Sequence, residues 1–137
     1  MQTIVQALYK LRRSPFRARF HLSREEKDYV RAYGLERIRS HCVDIIKRNI
    51  APAHLQSDGR QTPMHGHPVF VAQHATAVCC RQCLRKWYRV PTGYALNEEQ
   101  QERLVNFLMA WIELEMNTGR CDNYPIEYPI KKKKGRL

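Results

Sequence analysis

His65, His67, His74, Cys79, Cys80 and Cys83 crowd into one short stretch of the chain. Cys80 and Cys83 have C-x-x-C spacing, and thiolate and imidazole together are zinc ligands. His67, His74, Cys79, Cys80 and Cys83 are therefore the metal candidates, with zinc as the ion they suggest. Helical geometry resists the simplest version. If residues 69–88 form one helix, each residue turns about 100° and rises about 1.5 Å. His74 and Cys83 then point to opposite sides, and His67 lies roughly 18 Å along the axis from Cys79. They share one ion only if the helix breaks near Ala75 or Thr76. Cys79 and Cys83, four residues apart, do share a face, and His41 or Cys121 are candidates to complete a site there.

The same residues suggest a second chemistry. Arg81, Arg85 and Lys86 flank the cysteines, and nearby cations lower a thiol pKa. Cys83 is a candidate nucleophile, with His67 and His74 as acid or base near neutral pH. No nucleophile elbow, H-E-x-x-H or Walker pattern supports a particular reaction. The plain alternatives are thiols that pack in a core and a histidine that makes a structural hydrogen bond.

The charge points to a third chemistry. Lys and Arg number 24 against 13 Asp and Glu, a net charge of +11. Anionic polymers are the natural partners of such a chain, and RNA or DNA comes first. Arg17 and Arg19 are interspersed with Phe16 and Phe20, a pattern that can track a backbone and stack on bases. Arg60, Gln61, Thr62 and His67 lead into a helix start, where free N–H groups favour phosphate. Arg81, Arg85 and Lys86 complete the nucleic-acid or phosphate candidates. Removing the five cations of the Lys131–Lys134 run and Arg136 still leaves +6. Binding is the leading expectation because it asks only for charge and donors. A small enzyme or metal/redox protein built on His67, His74, Cys79 and Cys83 is the alternative, and a structural interaction domain the third.

The positioning elements read as helices. Ile4, Val5, Leu8 and Leu11 suggest a short helix, and Pro15 breaks it ahead of an extended RARF arm. Ser23 with Glu26 has capping-box spacing. After Gly34 a second stripe runs Leu35, Ile38, Cys42, Ile45, Ile46, Ile50, in which Cys42 reads as a buried hydrophobe. Residues 51–68 form a loop with Pro68 at the next helix start. In that helix Phe70, Ala77, Cys80, Leu84 and Trp87 align on one face, and Gln73 joins them as a buried amide that needs a partner. Asn97 with Gln100 caps the last helix, and Gly119 is its expected stop.

The segment GRQTPMHGHPVFVAQHATAVCCRQCLRKW, with Phe16–Phe20 and Met109–Glu113, resembles an uncharacterised bacterial family, the domain of unknown function 4186 family. The likeness spans Ser14 to Met116 and implies one domain, without an established activity. The family pattern commonly has His after the Trp, where this chain has Tyr88. The expected architecture is a single all-α domain of four to five helices around a central His/Cys-containing helix. It divides into a helix and basic arm over 1–22, a core over 23–119 and a basic tail over 120–137. The five cysteines, with Cys79 and Cys80 adjacent, do not read as a secreted disulfide framework. No segment reads as a membrane span or leader, so a cytoplasmic protein is expected.

Overall fold

Reciprocal caps start three of the helices, and each can be traced to two residues three apart. Thr3 and Gln6 begin α1 (Ile4–Arg12), Ser23 and Glu26 begin α3 (Arg24–Tyr33), and Asn97 and Gln100 begin the last helix (Glu98–Thr118). In each, the first side chain accepts from the N3 backbone while the N3 side chain accepts from the cap's own N–H. The computed structural model describes residues 3–55 and 62–118. Between these anchors lie α2 (Pro15–Ala18), α4 (Leu35–Ile45) with a π-helical turn (Ile46–Ile50), α5 (Pro68–Ala75) and α6 (Arg81–Tyr88). The long closing helix is α7. The described residues contain no strand, and the protein is all-α.

Two expectations about elements are corrected. Pro15 does not lead into an extended arm. It occupies the first position of α2 behind the Ser14 cap, where its missing N–H costs nothing. The central helix is two helices, separated at Thr76–Cys80. These two differences raise the helix count above the expected four to five.

The core forms where α4 and α5 both lie against α7. Ile38 and Cys42 from the first, Ile46 and Ile50 from its π turn, Val69 and Ala72 from the second, and Leu108 and Ile112 from the third are fully enclosed. The π turn closes with Ala51 N–H donating to Ile46 O at 2.8 Å, and it buries both Ile46 and Ile50. Burying side chains of this size stabilises by about 1.5–3 kcal/mol each. Cys42 donates to Met109 Sδ at 3.8 Å, and burial pushes its thiol up to about 12. It is a packing residue. The N-terminal elements belong to the same core, since Ala7, Leu11 and Phe20 are buried in it. Among the described residues no helix is long and apolar enough to cross a membrane.

Candidate metal centre

The break between α5 and α6 builds the site. Thr76 Oγ1 donates back to Ala72 O at 2.7 Å, and Ala77 then takes a left-handed conformation with φ +62°. For a residue with a Cβ that conformation costs about 1–2 kcal/mol. Gln73 pins the turn from inside: its backbone O accepts from Val78 N–H at 2.8 Å, and its Nε2 donates to Val78 O at 3.1 Å. The amide expected to need a partner thus finds one in the turn. The chain leaves the turn through Cys79 to Cys80, which caps α6 by accepting from Cys83 N–H at 3.4 Å.

Abandoning the single helix brings all three sulfurs together. One Sγ each from Cys79, Cys80 and Cys83 lies within 4.8 Å of the others, and the Cys79 and Cys83 atoms are 3.5 Å apart. Cys79 and Cys80 are buried, and Cys83 is partly exposed. Cys80 lies inside, as the apolar stripe implied, but its sulfur faces the polar start of α6.

Arg17 of α2 reaches into this cluster. Nη1 donates to His74 O at 2.7 Å and to Cys79 Sγ at 3.6 Å, and Nη2 donates to Cys83 Sγ at 3.2 Å. Burial works against the guanidinium's charge, but the bonds to Cys79 and Cys83 outweigh it and raise its pKa. The hydrogen bond with Cys83, helped by Arg17 and opposed by burial, pulls the Cys79 thiol down to about 7. Cys83 is pushed up by the same shared bond and then by burial, and Cys80 is raised by burial. One thiolate, placed at Cys79, is what Arg17 alone sustains. Tyr88 lies within electrostatic reach of Cys79 and Cys83, and its hydroxyl donates to Thr76 O.

The histidines do not join the sulfurs. His74 directs Nε2 at Thr62 O (3.1 Å) and Pro63 O (3.2 Å) and stacks on Phe20, so it holds the preceding loop against α5. Burial, opposed by those two carbonyls, lowers its pKa. His67 caps α5: its Nδ1 accepts from Val69 N–H at 3.0 Å. That leaves the ring proton on Nε2, which faces His41 Nδ1 at 3.1 Å. His65 is exposed.

The residues proposed for phosphate or nucleic acid divide. Arg17 is committed to the sulfurs. Arg81 is 2% exposed and donates to the carbonyls of Ile50, Ala51, Pro52, Pro91 and Tyr94. Thr62 Oγ1 donates to Cys79 O at 2.8 Å. Arg19, Arg85 and Lys86 are exposed. Arg60, Gln61, Gly119, Cys121 and the basic tail lie outside the described residues.

Sequence reasoning missed Arg17 as a partner of the thiols and missed the His41–His67 pair. Ser14-Pro15, a helix-start signal, was the clue that Arg17 sits on a short helix and not on a free arm. No solved structure matches the chain. The family model described as a domain of unknown function (DUF4186) matches residues 5–113, most of the sequence, and the chain belongs to that family.

Proposed function

We propose that the protein binds a soft metal ion through Cys79, Cys80 and Cys83, with zinc as the ion to test first. The supporting observation is the convergence of three thiol sulfurs within 4.8 Å beside one buried guanidinium. Zn–S bonds of about 2.3 Å set tetrahedral sulfurs about 3.8 Å apart, so the cluster needs only small adjustments to close on an ion. Thiolate is a soft donor and selects zinc or Cu(I) over hard cations. Charge supports the same reading. Three thiolates cannot all ionise beside Arg17 alone, but three thiolates, a divalent ion and Arg17 sum to zero. Arg17 would then neutralise the complex from outside by hydrogen bonds to sulfur. Three protein donors leave a coordination position free for water or substrate, the arrangement of catalytic zinc sites.

The test is titration of the reduced protein with Co²⁺ as a coloured substitute for zinc, followed by competition with zinc. A thiolate-to-metal charge-transfer band that zinc abolishes, at one ion per chain and absent in Cys83→Ser, is the expected result. A featureless titration, with the purified protein free of zinc and copper by elemental analysis, refutes the proposal.

A second reading, polyanion binding, is favoured by one surface feature. Phe16 is 42% exposed with the Arg19 guanidinium 4.9 Å from its ring centroid, a pairing suited to stacking on a base. Lys10, Arg12, Arg13, Arg85 and Lys86 are exposed cations that would contact phosphates. Affinity for single-stranded RNA or DNA should fall steeply with salt. A nucleic-acid-free sample that shifts neither at low salt ends this reading.

A further inference from the structure

We propose that Cys79 and Cys83 are a reversible redox pair, closing to a disulfide on reaction with a hydroperoxide and thereby ejecting the metal ion. The inference rests on the metal reading for its second half only.

The geometry separates this pair from the third thiol. The two sulfurs are 3.5 Å apart, and a disulfide requires about 2.05 Å, so each needs to move less than 1 Å or so. Cys79 stands in the irregular segment between the helices, directly after the left-handed Ala77 turn, where no helical hydrogen bond resists that motion. Cys80 is tied differently, because its sulfur caps α6 by accepting from Cys83 N–H. Access is unequal as well. Cys83 is partly exposed and Cys79 is 6% exposed behind it. A small oxidant reaches Cys83 first and leaves Cys79 as the resolving thiol. Arg17 donates to both sulfurs, so a negative charge on either one stays hydrogen-bonded as it passes between them.

The reaction balances without a further partner. The Cys83 proton passes to the Cys79 sulfur 3.5 Å away, the Cys83 thiolate so formed attacks one peroxide oxygen, the O–O bond breaks, and the departing alkoxide or hydroxide takes a proton from solvent. Cys83 becomes a sulfenic acid. The Cys79 sulfur then attacks the Cys83 sulfur and expels hydroxide, which leaves as water after taking the remaining thiol proton. Two electrons pass from the sulfur pair to the peroxide, and the products are a disulfide, an alcohol or water, and a second water. The metal ion keeps its oxidation state throughout. Cys80 alone cannot retain it, because two of its three thiolate donors have been consumed. A dithiol reductant reverses the closure.

The experiment uses the full-length, zinc-loaded protein and a metal-free sample in parallel. Both receive equimolar hydrogen peroxide and are quenched with N-ethylmaleimide. Released zinc is read with a colorimetric chelator, and tryptic peptides are mapped by mass spectrometry. Trypsin cuts after Arg81 and so separates Cys79 and Cys80 from Cys83, which makes the linkage visible as joined peptides. The expected result is one zinc released per disulfide, a Cys79–Cys83 link that persists in Cys80→Ser, and rebinding after dithiothreitol. Sulfinic acid at Cys83 without a link, a Cys80–Cys83 link, or a disulfide with zinc retained overturns the inference. If zinc binds but neither sample forms the link, the redox pair alone fails. If the link forms in a protein that never binds zinc, the metal reading fails and the redox pair stands.

Discussion

Replacing His67 with Asn should remove much of the chain's sensitivity to mild acid. His67 accepts from Val69 N–H through Nδ1 and faces His41 through Nε2, with Tyr29 and Phe70 packed on its ring at centroid distances of 5.0 and 5.6 Å. Protonation would place a proton on Nδ1, against the N–H it caps. Burial, with His41 as a second cause, lowers its pKa from 6.5 to about 4. The folded state therefore binds fewer protons than the unfolded chain between those values. The stabilisation is full above 6.5, is lost as pH falls toward 4, and falls no further below that. Integrating the difference from about pH 7 to about pH 5 gives close to 2 kcal/mol, or about 1.5 kcal/mol after partial solvent screening of a half-buried ring. Asn keeps a cap acceptor and does not titrate, so His67→Asn should cost about 1 kcal/mol at neutral pH through lost packing. Urea unfolding of both proteins across this range reads the contribution of His67 with its His41 contact included, because the remaining titrating groups are shared. The wild type should lose about 1.5 kcal/mol more than the variant on acidification. Parallel pH profiles would refute the assignment of a neutral, Nε2-protonated His67 in the fold.

Two further substitutions test the frame of the site. Arg81→Met strands carbonyls from two chain segments that meet at one guanidinium, and should destabilise by about 3–5 kcal/mol in urea unfolding; a loss below about 1 kcal/mol would mean those carbonyls find other partners. Ala77→Gly relieves about 1 kcal/mol of left-handed strain and gives up a fully buried methyl worth about 0.8 kcal/mol, so its stability should stay within about 0.5 kcal/mol of wild type. Ala77→Val should be clearly destabilising in the same melts, since a β-branched residue resists positive φ, and equal stability of the two variants would contradict the turn.

What could be read from the sequence follows from how local each cause is. The capped starts at Ser23 and Asn97 were legible because both partners lie three residues apart. The apolar stripe of α4 was legible because its period is the helix's own. The helix break at Thr76–Cys80 was not. It contains neither Gly nor Pro, and the residues that enforce it act through a buried amide, a back-bonding hydroxyl and an alanine in an uncommon conformation. Periodicity carried straight across it, and Cys80 and Leu84 continued the stripe as though nothing intervened.

The candidate site shows the same division at larger scale. The cysteines were visible as residue types, and helix geometry made a break near Ala75 or Thr76 the condition for histidines and cysteines to share an ion; the helix does break, at Thr76–Cys80, but it gathers the three sulfurs without the histidines. Their partner was invisible, because Arg17 lies 62 positions before Cys79 and looked like one more cation in a basic arm. Composition counts a buried arginine and an exposed one alike. Here the distinction changes the chemistry, since Arg17 and Arg81 contribute two charges to the total of +11 but neither is presented to an anionic polymer. One donates to two of the three sulfurs, and the other fastens α6 to the chain around Ile50 and Pro91. Arg17 thus bonds the sulfurs at both ends of the Cys79–Cys83 segment while Arg81 anchors its middle to the surrounding chain, which is what fixed ligand positions require before an ion arrives.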